Sequence, residues 1–235
     1  MSDLGLAIFD VDGTLADSQA EIVLAMTAAF TSENLAVPDR AAILSIVGLS
    51  LDHAMPVLAP KATGATRARL VAGYKQAYFD HRAANGASPL YDGALAVLER
   101  LSEDPFLLMG VATGKSKRGL DALIDAHDLH RFFVTRQVAD FHPSKPHPGM
   151  IRAALAQAGV EAQNAVMIGD TSYDIDMARA AGTRAIGVGW GYHETHRLKA
   201  DLIVCDMPAL PDAVLQTLSP ENATQPQSKG RIVHE

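Results

Sequence analysis

Six short, mostly apolar runs punctuate the chain, at residues 4–9, 107–112, 132–135, 165–168, 184–188 and 202–204. Apolarity that is continuous rather than alternating predicts strands buried on both faces. The stretches 94–101, 117–126, 149–158 and 173–181 carry apolar residues at helical spacing instead. Strand–helix alternation of this kind predicts an α/β fold, a Rossmann-like parallel sheet with helices on both faces. Ligands of such sheets bind beyond the carboxyl ends of the strands.

The rhythm stops between residues 18 and 85. Only helical spacing is found there: Ile22, Met26 and Phe30, then Ile43, Ile46 and Val47, then Leu70, Tyr74 and Tyr78. A small separate α-helical domain, residues 18–85, is therefore expected as an insertion into a core formed by residues 1–17 and 86–218. Residues 87–93 (Ala-Ser-Pro-Leu-Tyr-Asp-Gly) read as the returning hinge, because Pro and Asp-Gly punctuate structure. Within the insertion, residues 47–50 are expected to face the core, since Gly48 permits close approach. Residues 219–235 are polar and aperiodic and read as a tail.

Composition narrows the function classes. A chain of 235 residues with 48% apolar content can bury a sizeable core, and its net charge of −7, with no Lys/Arg run, argues against nucleic-acid binding. The single cysteine, Cys205, excludes an intrachain disulfide framework and reads as a core strand residue in a reducing compartment. No apolar run approaches the ~18 residues of a membrane helix. The N-terminal run is too short for a signal peptide, so a cytoplasmic protein without membrane association is expected. Oligomeric state is not legible.

Asp10 and Asp12 stand where the first strand ends and a glycine turn begins, in Phe9-Asp10-Val11-Asp12-Gly13-Thr14. Two carboxylates beside an apolar strand are costly unless a cation or proton compensates. Thr113 follows the strand at 107–112, Asp170 follows the strand at 165–168, and Lys145 precedes the helix at 149–158. In a parallel sheet these positions converge on one rim. They would form an acidic Mg²⁺ site, a hydroxyl donor and an ammonium, a set suited to a phosphate ester.

On these residues the chain resembles the haloacid-dehalogenase superfamily of phosphatases. Its four motifs are matched in order: Asp-x-Asp-Gly-Thr at 10–14, Thr113, Lys145, and Gly-Asp-x-x-x-Asp at 169–174. The runs Leu-Tyr-Asp-Gly at 90–93 and Ala-Thr-Gly-Lys-Ser at 112–116 look most like its phosphoglycolate-phosphatase-like branch. The resemblance implies Asp10 as nucleophile of an aspartyl-phosphate pathway and Asp12 as general acid and base. It implies Mg²⁺ held by Asp10, Asp170 and the main-chain carbonyl of Asp12. Thr113 and the Gly114 N–H would hold phosphoryl oxygens, Lys145 would balance their charge, and Asp174 would orient Lys145 or a metal-bound water. The implied partner is a small phosphorylated metabolite, phosphoglycolate-like or a sugar phosphate. A phosphomutase of the β-phosphoglucomutase type, a pyrophosphatase or nucleotidase, and a non-catalytic phosphate-binding module are the alternatives.

Other signals are discounted. Gly110 and Gly114 have three residues between them where a P-loop needs four, and His193 and His196 are three apart where the zinc motif needs four. His193 and His196 are expected on a surface helix, and His142 and His147 as loop residues beside Lys145.

Overall fold

The computed structural model describes residues 4–219 and 231–233. Seven parallel strands, β1 (Gly5–Phe9), β2 (Leu107–Thr113), β3 (Phe133–Val138), β4 (Ala165–Gly169), β5 (Arg184–Val188), β6 (Leu202–Val204) and β7 (Arg231–Val233), form one sheet in the order β3-β2-β1-β4-β5-β6-β7. β1 lies between β2 and β4, so the strand order reverses beside it, and the residues following β1 stand in the crevice such a reversal opens. Nine α-helices accompany the described strands: α1 (Gln19–Ser32), α2 (Arg40–Ser45), α3 (Leu51–Leu58), α4 (Gly64–Asn85), α5 (Ala94–Ser102), α6 (Lys117–Ala126), α7 (Gly149–Ala158), α8 (Ser172–Ala181) and α9 (Leu210–Leu218).

The six expected strands all form, most within a residue of their apolar runs. β3 runs three residues past its apolar stretch, ending at Val138 rather than at residue 135. Period-two geometry divides each strand between two cores. Ala7 and Phe9 of β1 join Leu98, Ile124 and Val214 on one face, whereas Leu6 and Ile8 join Met150, Ile151 and Ile175 on the other. Cys205 follows β6 and is half-buried rather than a residue of the strand itself. Of the stretch read as a tail, residues 220–230 and 234–235 lie outside the described residues, and β7 extends the sheet beside β6. No helix among the described residues is long and apolar enough to cross a membrane.

Helices α1–α4 fill the interval between β1 and α5 and close around their own apolar cluster, which includes Ile22, Met26, Phe30, Ile43, Val47 and Leu70. The chain leaves and returns to the sheet at one place. Ala16 bridges Leu90, Asp17 N donates to Pro89 O (2.9 Å), and Tyr91 N donates to Leu15 O (2.9 Å).

The segment after α2 rests directly on the sheet's rim. Tyr173 Oη donates to Ser45 O (3.2 Å), and Ser50 N donates to Ser144 Oγ (2.9 Å). Backbone meets backbone at Gly48 and Gly114: a Cβ on Gly114 would lie 2.7 Å from Gly48 O. Gly48 also sits at φ +98°, which favours glycine. Gly114→Ala must therefore push the helical layer off the sheet, and a loss of about 1–3 kcal/mol is expected. The midpoint of urea unfolding checks it; an unchanged midpoint means the two backbones are not in contact.

Candidate active site

Four carboxylates and two ammonium groups gather where β1, β2 and β4 end. Asp10 follows β1 and is 1% exposed; Asp170 follows β4 and Asp174 lies in the first turn of α8, both fully buried. Lys145 reaches into this group from the loop before α7, with Nζ 2.9 Å from Asp10 Oδ1 and 2.6 Å from Asp174 Oδ1. Asp174 is fixed by a local device at the start of α8. Its Oδ2 accepts from Thr171 N (3.1 Å) and Thr171 Oγ1 (2.7 Å), a reciprocal cap that leaves Oδ1 for the lysine.

Asp170 is equally constrained. Thr14 Oγ1 donates to its Oδ1 (3.0 Å), and Tyr192 N donates to its Oδ2 (2.8 Å). Backbone crowds the carboxylate from two sides: a Cβ on Gly13 would come within 2.2 Å of Asp170 Oδ2, and one on Gly191 within 2.1 Å of Asp170 Cβ. Only glycine fits at either position.

The electrostatics are those of a site short of positive charge. Burial pushes the Asp10 carboxyl up to about 7, against the pull of Lys145 and with further upward pressure from Asp174 and Asp12. Burial, then Asp174 and Asp10, raises Asp170 well above the carboxylate range. Burial would lower the Lys145 ammonium, but Asp10 and Asp174 outweigh it and hold the group above its ordinary value. One ammonium thus faces three buried carboxylates. Ligand oxygens of Asp10, Asp170 and Asp174 all lie within 4.8 Å of one another, and Asp10 Oδ2 has no hydrogen-bond partner. A buried carboxylate oxygen without a partner, in an all-oxygen cluster, fits a hard divalent cation.

Asp12 occupies a different environment, facing a cavity of about 210 Å³ between the sheet's rim and the helical layer. Its Oδ1 accepts a short hydrogen bond from Ser18 Oγ and pairs with Lys115 Nζ at 2.7 Å. Lys115 Nζ in turn donates to Tyr78 Oη (3.1 Å) on α4. The Ser18 and Lys115 contacts both fall on Oδ1 of Asp12. Thr113 is fully buried, and its Oγ1 accepts from Lys115 N (3.2 Å), leaving its own O–H to donate. Both Thr113 and Gly114 line the cavity.

The expected residues Asp10, Asp12, Thr113, Gly114, Lys145, Asp170 and Asp174 therefore share one region. The carboxyl cluster groups Asp174 with Asp10 and Asp170, and turns the Asp12 side chain toward Lys115 instead. Sequence reasoning missed Lys115, Ser18, Tyr78, Thr14 and Gly191. Thr14 and Lys115 stood inside quoted runs, and Gly191 closes a glycine-rich stretch after β5. His193 corrects an expectation: it is 4% exposed, and its Nδ1 accepts from Ser172 N (3.1 Å) while Nε2 reaches Ser45 O (3.1 Å). His196 is exposed and pairs with Glu194, so the two do not share a helical face. His142 and His147 are satisfied locally, by Gln137 and by Gly149 N.

Residues 7–188 match the model of the haloacid dehalogenase-like hydrolases, and the chain belongs to that family. It is 34% identical over 222 residues to the protein named probable phosphatase IndB of Dickeya dadantii, covering 91% of this chain and 90% of that one. It is 31% identical to a phosphoglycolate phosphatase of Mesorhizobium japonicum, covering 81% and 85% of the two chains. The crystal structure of a hydrolase from Pseudomonas syringae superposes with a TM-score of 0.81 at 24% identity, over 92% of this chain and all of that one, which shows the same fold.

Removing the ammonium tests the electrostatics. Lys145→Met leaves Asp10 and Asp174 buried without their cation, and a loss of about 3–5 kcal/mol is expected in metal-free protein. Adding Asp174→Asn removes one of those charges, so the double variant should lose less than the sum of the singles. Strict additivity in denaturant titrations would show that the three groups are not coupled.

Proposed function

We propose that the chain is a Mg²⁺-dependent phosphatase acting on a small phosphomonoester through a phosphorylated Asp10. The observation that carries this reading is Asp10 itself: a buried carboxylate with one unpartnered oxygen, beside Lys145 and lining a cavity with Thr113, Gly114 and Asp12. The phosphatase and phosphoglycolate-phosphatase names of the relatives support it.

Asp10 attacks phosphorus, the P–O bond to the leaving alcohol breaks, and protonated Asp12 supplies the proton that the alkoxide needs. Water then attacks the aspartyl-phosphate, Asp12 takes its proton, and inorganic phosphate leaves with Asp10 regenerated. Splitting the displacement in two lowers each barrier. The Thr113 hydroxyl and Gly114 N–H hold phosphoryl oxygens, and Lys145 stabilises charge on the transferring group. A divalent ion held by the carboxylates of Asp10 and Asp170 and the Asp12 carbonyl would neutralise the phosphoryl oxygens, with Asp174 acting through Lys145. The Lys115–Ser18 pair fixes one oxygen of Asp12, so the other carries the proton. Helices α1–α4 serve as a cap that excludes bulk water and chooses the ester.

Asp10→Asn should abolish phosphate release while circular dichroism stays native. Turnover in that variant above about a thousandth of wild type would exclude the covalent route. Asp12→Ala should still bind Mg²⁺ by calorimetry yet lose most of its turnover. Failure to bind would make the Asp12 side chain a ligand.

Metal removal gives a second readout. The cation relieves repulsion among buried carboxylates, so Mg²⁺ at about a hundred times its dissociation constant should stabilise the fold by about 2.7 kcal/mol. Excess chelator should lower the melting temperature and stop phosphate release, and activity that persists after dialysis into chelator would refute metal dependence.

A further inference from the structure

The cavity's lining holds two chemically different polar groups. Asp10, Asp12, Thr113 and Lys115 form one, and Asp10 and Asp12 are the only acidic groups among the described lining residues. Apolar side chains from α1, α3, α4 and the segment after α2 complete the wall: Ile22, Met26, Val47, Leu51 and Phe79. Lys75, Arg82 and Arg118 also line the cavity, so the charged lining beyond Asp10 and Asp12 is cationic.

The two arginines are held together around one ring. The Arg118 guanidinium lies 3.9 Å from the centroid of Phe79 and that of Arg82 lies 5.7 Å from it. Arg82 Nη1 also donates to the Arg118 carbonyl (3.5 Å). Neither guanidinium forms an ion pair among the described residues, whereas the neighbouring Lys117 pairs with Asp121. Asp121, Asp125 and Asp140 line a second cavity with the same two arginines without forming an ion pair to either. An anion between the guanidiniums removes their mutual repulsion and accepts bidentate hydrogen bonds.

The apolar wall sets the rest of the ligand. Against Ile22, Met26, Val47, Leu51 and Phe79 a polyol would give up water and gain no hydrogen bond, and Tyr78 Oη is already engaged by Lys115 and Ser88. Tyr74 and Tyr78, with centroids 5.9 Å apart and planes 30° apart, offer a flat surface instead.

Resting on the phosphatase reading, we infer the class of ester: a phosphomonoester whose leaving group has a flat apolar body and ends in a second anionic group, bound by Arg82 and Arg118. The phosphoryl group sits at Asp10, the ring lies against Tyr74, Tyr78 and Phe79, and the second anion reaches the guanidinium pair.

Matched aryl esters test this with the Mg²⁺-loaded protein. 4-Methylphenyl phosphate carries the body alone, its 4-carboxymethyl and 4-phosphonomethyl analogues add an anion behind an insulating methylene, and phosphoglycolate carries the anion without the body. At least one anionic aryl ester should exceed both 4-methylphenyl phosphate and phosphoglycolate in kcat/KM by about tenfold, the worth of one charge-assisted hydrogen bond. The gain should lie mainly in KM. Which anionic arm wins identifies the anion as carboxylate-like or phosphate-like. Arg82→Gln and Arg118→Gln should each shrink the ratio of the anionic to the methyl ester. Equal values across the three aryl esters, a ratio that survives both substitutions, or preference for phosphoglycolate overturns the inference. If no ester releases phosphate, the phosphatase reading fails, and calorimetric binding of the same aryl esters decides the anion site separately. An arginine-dependent preference upholds that site, and equal binding removes it.

Discussion

The Lys145 ammonium, shared between Asp10 and Asp174, is the contact around which the rest of the molecule is arranged. It joins the end of β1 to the first turn of α8, and so fixes β4 and its following helix against the central strand. At an effective dielectric near 20, two unit charges about 4 Å apart interact by about 4 kcal/mol. A single lysine stands among three buried carboxylates, and burial first, with the neighbouring carboxylates adding to it, displaces Asp10 and Asp170 upward. A cation would offset the cost of burying these carboxylates together. The same cost explains why so many hydrogen bonds serve to hold carboxylates still: Thr171 on Asp174, Thr14 and the Tyr192 amide on Asp170.

Lys115 plays a second, different part. It spans the boundary between sheet and inserted helices, paired to Asp12 on one side and hydrogen-bonded to Tyr78 on the other. The position of α4 and the orientation of Asp12 are thus mechanically linked. Ser18, which donates to Asp12 and contacts Tyr192 Oη at 3.1 Å, adds a second link where the chain leaves the sheet.

The strands and the residues at their ends were legible in the sequence because both are local signals. Continuous apolarity marks β1, β2 and β4, and a polar residue within two positions of each run's end (Asp10, Thr113, Asp170) marks the rim. Ile22, Phe30, Ile43 and Leu70 likewise declared their buried faces by spacing alone. What could not be read depends on meetings between distant segments. Gly191 is required because a carboxylate from another loop crowds its backbone, and His193 is buried because Ser45 and Ser172 converge on it. Periodicity carries no trace of either. β7 escaped because three residues in a polar context are too short to show a period.

The outgoing segment near Ala16 and the returning segment near Leu90 run side by side, hydrogen-bonded to each other. To the sheet, everything from α1 to α4 is therefore topologically a hairpin loop. Closing a loop grows costlier only with the logarithm of its length, about 0.6 kcal/mol per doubling. Such an attachment lets the inserted helices lengthen, shorten or be exchanged with little thermodynamic consequence for the strands that carry the carboxylates. The same scaffold can in that way trade one excursion of the chain for another.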